Sequence, residues 1–154
     1  MPGRYYEEFN VGEVIRHEIT RTITEYDNIS FCSNTINVQP LHLDYEFAAK
    51  STHKRPLVNG LFTMSLMMGI TVLETTLGTT EGNLGFEEMN FPAPVFYGDT
   101  IRVETEILGK RVSKSRPGLG IVRFRHSAIN QDDKVVVTCI RNGLMRCKDA
   151  ESVA

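Results

Sequence analysis

In the run INVQPLHLDYEFAAK, residues 36–50, Asn37 stands five positions ahead of His42, with Gln39 and a proline between them. An imidazole titrates near neutral pH and can take or give a proton in a transition state. The Asn37 amide cannot take a proton; it can hold a water or fix the imidazole by hydrogen bonds. Taken alone, His42 also reads as a loop histidine satisfied by the backbone. Further along, Asn59-Gly60 opens a long apolar run. If that run is helical, its first backbone N–H groups are unpaired and carry partial positive charge, a place to stabilise developing negative charge. Gly60 equally suits close packing of a helix on a sheet. The concentrated positive charge is Lys110-Arg111-Val112-Ser113-Lys114-Ser115-Arg116. Such a run is usually a solvated face, yet lysine and arginine are also how proteins hold phosphates. Asp44, ahead of Tyr45-Glu46-Phe47-Ala48-Ala49, reads as a helix cap, and His17, His53 and His126 read as surface or sheet residues. No GxGxxG or P-loop is present.

These residues sit in a chain of 154 with 41% apolar content, enough for one compact domain over residues 1–154 with a real core. A net charge of −2 favours neither nucleic acid nor an anionic membrane surface. Three cysteines, Cys32, Cys139 and Cys147, have no CxxC or Cys/His ligand spacing, which argues against a disulfide framework or a structural zinc. A reducing compartment and no metal are expected. The start, MPGRYYEEFNVGE, lacks the charged lead and apolar stretch of a secretory signal, and Glu7-Glu8 is unlike a transit peptide, so a cytoplasmic location is expected.

The elements that must position these residues follow from periodicity. The run LVNGLFTMSLMMGITVL, residues 57–73, is interrupted by Asn59, Ser65 and Gly69 and falls short of the roughly 20 apolar residues of a bilayer span. It predicts a buried helix from Leu57 to about Leu77, covered on nearly every side and roughly 30 Å long. Residues 100–108 and 121–129 alternate apolar and polar, and 134–146 is rich in β-branched residues, so each predicts a strand. NLGFEEMNF, 83–91, adds a fourth, ended by Pro92 and Pro94. Asn130-Gln131-Asp132-Asp133 reads as a hairpin turn and GKRVSKSRPGLG as a longer loop. Ahead of the central helix come a strand around Glu13 to Thr20 and a helix capped by Thr24, with Asp27 in its first turn. The class is α+β, with helices on one face of a curved antiparallel sheet.

On motifs, the chain resembles the MaoC-like (R)-specific enoyl-CoA hydratase/dehydratase family of the hot-dog fold, in which a curved antiparallel sheet wraps a long helix. The resemblance rests on Pro40-Leu41-His42-Leu43-Asp44 with Phe47-Ala48-Ala49, on Arg55-Pro56-Leu57-Val58-Asn59-Gly60, and on Phe91-Pro92-Ala93-Pro94-Val95 leading to Gly98-Asp99-Thr100. It implies reversible hydration of a 2-enoyl-CoA, with no cofactor beyond the coenzyme A thioester that is the substrate. The family's Asp-x-Asn-Pro-x-His reads here Asn37-Val38-Gln39-Pro40-Leu41-His42, so the histidine matches and the aspartate does not. The histidine of Arg-Pro-x-x-His-Gly is Asn59 here. Carried over, His42 is the acid/base group, Asn37 its polar partner and Gly60 the oxyanion donor. Gln39, Asn59 and Arg55 contact substrate, and Lys114 and Arg116 contact coenzyme A phosphates. The variant motif and the Lys114-Ser115-Arg116-Pro117-Gly118 tract resemble a single-domain branch linked with branched, carboxylated acyl-CoAs of the mesaconyl and citramalyl type. A neutral Asn37 suits such a substrate, since two anions in one desolvated pocket repel. A homodimer or dimer of dimers is expected. Thioester hydrolysis and non-catalytic acyl-CoA binding are the rival readings.

Overall fold

Short pieces precede the central helix. The structure, a computed structural model, describes residues 3–148. After a single 3-10 turn at Tyr6–Glu8 come strands β1 (Val14–Arg16) and β2 (Arg21–Thr22), and helices α1 (Glu25–Asn34), α2 (Pro40–Leu43) and α3 (Tyr45–Lys50). The central helix α4 (Gly60–Thr75) leads into β3 (Thr80–Asn90), β4 (Thr100–Val112), β5 (Leu119–Ile129) and β6 (Val135–Arg146). The antiparallel sheet runs β1-β4-β5-β6-β3, with β2 also on β4. The strand expected over Glu13 to Thr20 is thus two short pieces with a break at His17. On β4, Ile101, Val103, Thr105 and Ile107 are buried while Arg102, Glu104 and Glu106 lie on the other face, the alternation of a half-buried strand.

Four sequence expectations are corrected in detail. The helix starts at Gly60 rather than Leu57, because the Asn59 side chain caps it, accepting the Leu61 N–H at 2.9 Å. At 16 residues it is about 24 Å long, shorter than the 30 Å expected. It is also covered on one side only: Met64, Met67 and Ile70 face the sheet, whereas Leu61 is 55% and Leu73 46% exposed. A single curved sheet cannot enclose a rod. The basic run, finally, is mostly strand, since Lys110 pairs with Val122 and Arg111 with Ile121. Only residues 113–118 form the hairpin tip. The opposite hairpin is as expected, with the Asn130 side chain accepting the N–H groups of Asp132 and Lys134, both at 3.0 Å.

Two apolar clusters fill the concave face. One packs Met64, Met67 and Ile70 of α4 on Val103, Ala128 and Val137; the other gathers Phe9, Ile107, Val122, Phe124 and Met145. Between them a polar seam crosses the strands. The Arg141 Nε–H donates to His126 Nε2 at 2.9 Å. A guanidinium cannot accept, so a neutral His126 carries its proton on Nδ1 and donates it to Thr105 Oγ1 at 2.7 Å. The Thr105 hydroxyl then donates to His17 Nε2 at 2.8 Å, and His17 Nδ1–H meets the carboxylate of Glu74 in the last turn of α4. His126 is thus a sheet residue, one of the two expected readings, and both it and His17 are buried in the core. Burial pushes the His126 pKa well below its ordinary value, helped by Arg141, and burial lowers that of His17 against the pull of Glu74. Arg141, itself buried, is pushed down to about 10.

Candidate active site

Helix α1 forms because Thr24 and Asp27 cap each other: the Asp27 N–H reaches Thr24 Oγ1 at 3.3 Å and the Thr24 N–H reaches Asp27 Oδ2 at 2.7 Å. One turn in, Asn28 points inward with no exposed surface. Its Nδ2 donates to the His42 carbonyl and to the Tyr97 hydroxyl, both at 3.1 Å, while its Oδ1 accepts the Asn59 N–H at 2.8 Å. The Tyr97 hydroxyl donates to the same His42 carbonyl at 3.1 Å. One buried amide thus holds both the histidine backbone and the start of α4.

The loop into α2 is equally local in origin. Ile36 adopts a positive φ of 56°, and Asn37 Oδ1 accepts the Gln39 N–H at 3.1 Å, so the chain turns sharply there. Gln39 caps the single turn of α2, and Pro40 at its first position has no N–H to leave unpaired. Asp44 caps α3, accepting the Phe47 N–H at 2.9 Å, as the sequence predicts. His42 Nδ1–H donates to the Leu57 carbonyl at 2.7 Å, and the Leu57 N–H donates to Leu41 at 3.1 Å. With Nδ1 tied as a donor, the neutral ring keeps its lone pair on Nε2, which has no partner among the described residues.

At the start of α4, the Asn59 N–H goes to Asn28 and the Leu61 N–H to the Asn59 side chain. The N–H groups of Gly60 and Phe62 are left without an acceptor among the described residues. Gly60 is glycine for a steric reason too, because a Cβ there would come within 2.9 Å of the Phe91 ring. A cavity of about 550 Å³ opens at this end, lined by Asn37, His42, His53 and Asn59 on its polar side and by Val58, Val95, Val136 and Val137 among the apolar residues. A base, the unpaired N–H of Gly60 and an apolar wall share one concavity, the parts that proton transfer next to a polarised carbonyl requires.

Of the residues read from sequence, Asn37, His42, Asn59 and Gly60 line the cavity, and Gln39, Arg55, Lys114 and Arg116 do not. Arg55 lies close by, its guanidinium 3.8 Å over the Phe96 ring that His53 meets edge-on. Lys114 and Arg116 are at the far end of the β4–β5 hairpin. Ala128 pairs with Val137 at the cavity, whereas Leu119, next to the tip, pairs with Arg146, so the tip is about 30 Å away along the strand. It does not serve the cavity of its own chain. His53, read as a surface residue, is a lining residue instead. Asn28, Tyr97 and Thr63 were missed; a hint of Asn28 lay in its helix-spaced pairing with the buried Cys32, which marks a polar residue on the inward face of α1.

Residues 8–128 match the MaoC like domain. The chain is 31% identical to the beta-methylmalyl-CoA dehydratase of Chloroflexus aurantiacus over 99% of its own length, and it spans only 43% of that protein. It is 34% identical to the (R)-specific enoyl-CoA hydratase of Aeromonas caviae, over 70% of this chain and 78% of that one. In fold it is similar to a Mycobacterium tuberculosis protein with a double hotdog fold, with a TM-score of 0.85 and 24% identity over 96% of this chain and 46% of the other.

Proposed function

The chain belongs to the MaoC-like dehydratase family, and from that membership we propose that it is a hydro-lyase adding or removing water across a 2-enoyl-CoA. The observation that carries the reading is the pairing, in one cavity, of His42, whose Nε2 has no partner among the described residues, with the equally unpartnered N–H of Gly60 at the start of α4. In the hydration direction His42 Nε2 takes a proton from water as its oxygen bonds to the third acyl carbon. The enolate charge that develops on the thioester oxygen is met by the Gly60 N–H, a contact worth about 2.7 to 4 kcal/mol. The imidazolium then returns its proton to the second carbon, and the ring is neutral again. Asn37, at the mouth of the cavity with its Oδ1 in a turn, holds the water or the acyl group by its NH₂.

The substrate class is a short branched or dicarboxylic acyl-CoA of the mesaconyl or citramalyl type. Support comes from the Chloroflexus aurantiacus relative and from a neutral amide at position 37, which adds no charge to repel a substrate carboxylate. Arg55, whose guanidinium lies 3.8 Å over the Phe96 ring that His53 meets, is our candidate cation for the coenzyme A phosphates. A homodimer is supported by β3, which among the described residues pairs only with β6 and exposes Leu84, Phe86 and Met89. No described helix is long and apolar enough to cross a membrane. The buried, unbridged thiols of Cys32 and Cys139 suit a cytoplasmic setting.

The test is incubation with a panel of enoyl-CoA and 3-hydroxyacyl-CoA thioesters, followed by mass spectrometry. Gain or loss of one water with the thioester intact is expected. Release of free thiol would replace the reading with thioester hydrolysis, and binding with neither product would make the chain an acyl-CoA-binding protein.

A further inference from the structure

Thr63 stands on α4 one turn beyond Gly60, has no exposed surface and lines the cavity. Its Oγ1 is buried with no hydrogen-bond partner. The other buried side-chain atom in that state among the described residues, Glu13 Oε2, belongs to a carboxylate whose second oxygen is held by Arg4 at 2.6 Å. Helical threonines have an easy way to avoid this, by donating to a carbonyl one turn back. Thr71 does so to Met68 at 2.8 Å and Thr75 to Thr71 at 2.5 Å. Thr63 does not, although the Asn59 carbonyl one turn back is close enough to accept the Thr63 N–H at 3.2 Å. Valine would fill the same space without a desolvated hydroxyl, so the unmade bond calls for a partner the free protein lacks.

We propose that the Thr63 hydroxyl binds an oxygen carried on the acyl chain, a carboxylate or hydroxyl substituent, and so selects a substituted acyl-CoA over a plain alkyl one. The proposal rests on the hydratase reading and deepens it. With the thioester oxygen at the Gly60 N–H, Thr63 lies about 4.5 Å further along the helix axis. That is comparable with the separation of a thioester oxygen from an oxygen at the third or fourth acyl carbon. Apart from this hydroxyl, Val58, Val95, Val136 and Val137 give that part of the cavity an apolar wall, against which a lone donor discriminates strongly.

The test compares wild type, Thr63→Val and Thr63→Ser on mesaconyl-CoA and on crotonyl-CoA, together with the melting temperature of each free protein. Thr63→Val is expected to lose about 10- to 100-fold in kcat/KM on mesaconyl-CoA, to stay within about twofold on crotonyl-CoA, and to melt no lower than wild type. Thr63→Ser keeps the hydroxyl and keeps the preference. Equal losses on both substrates, no loss on either, or a lowered melting temperature for Thr63→Val would overturn the assignment. If wild type hydrates crotonyl-CoA and not mesaconyl-CoA, the hydratase reading stands and the role of Thr63 falls. If it hydrates neither, the hydratase reading falls, and Thr63 is judged by calorimetric titration of mesaconyl-CoA into wild type and Thr63→Val. A weaker affinity in the variant upholds the contact; equal affinity or no binding ends it.

Discussion

Thr105 and Thr63 are both threonines, both without exposed surface, and both face the interior between the sheet and α4. Thr105 has its hydroxyl engaged on both sides, by His17 at 2.8 Å and His126 at 2.7 Å. The Thr63 hydroxyl has no partner among the described residues. The histidines divide in the same way: both ring nitrogens of His17 and of His126 are taken, whereas His42 spends Nδ1 on the Leu57 carbonyl and keeps Nε2 open. Residue type and burial therefore do not separate scaffold from site in this molecule. Unfilled hydrogen-bonding capacity does, and it is concentrated at the N-terminal end of α4.

The strongest way to break the contrast is to remove the open base. His42→Ala should lower kcat by about 10²- to 10⁴-fold, with urea unfolding close to that of wild type because the half-buried ring makes one hydrogen bond. Steady-state kinetics and a denaturation curve decide it, and a wild-type kcat would remove His42 from the chemistry. On the closed side, Thr105→Val keeps the shape of the side chain and strips both histidines of their shared partner. At about 1 to 3 kcal/mol for each buried group left unsatisfied, it should cost at least about 2 kcal/mol of unfolding free energy. The same change at position 63 should cost none. Equal effects of the two substitutions on stability would erase the distinction.

Acid gives a milder probe of the seam. Its two histidines have folded pKa values below their unfolded ones, so the unfolded chain binds protons first as pH falls. Stability is fully present above about pH 6.5 and declines below it, by up to about 1.4 kcal/mol per pH unit for each histidine held neutral in the fold. The decline stops once pH passes below the lowered folded value. Urea midpoints measured from pH 7.5 down to 5.5 test this, and a flat profile in Thr105→Val and wild type alike would mean that the seam accepts protons freely.

The long strands were legible because one face of each is buried and the other is not, which writes a period of two into residues 100–108 and 121–129. That alternation also puts His126 between Phe124 and Ala128 on the inward face of β5, a detail that its reading as a surface or sheet residue left open. The helix ends depended on caps: Thr24 and Asp44 read correctly, while Asn59 was read for chemistry and turned out to terminate the helix as well. His42 and Gly60 were found by motif. Asn28, Tyr97 and Thr63 were not, because their roles come from contacts between segments distant in the chain, and no local pattern records those. The distance of the basic tract from the cavity was not legible either, since a local cluster of charge says nothing about which end of a hairpin the cavity occupies.

Consider the Asn28 amide as a mechanical part. It grips the His42 carbonyl with its NH₂ and the N–H of Asn59, the cap of α4, with its oxygen. When α1 drifts thermally, both reacting groups are carried along together, so the motion is common to the two and cancels in the gap between them. The gap is the coordinate on which rate depends steeply. A surface-lying helix can thus set a fine gap, provided that a single buried spacer sits across it.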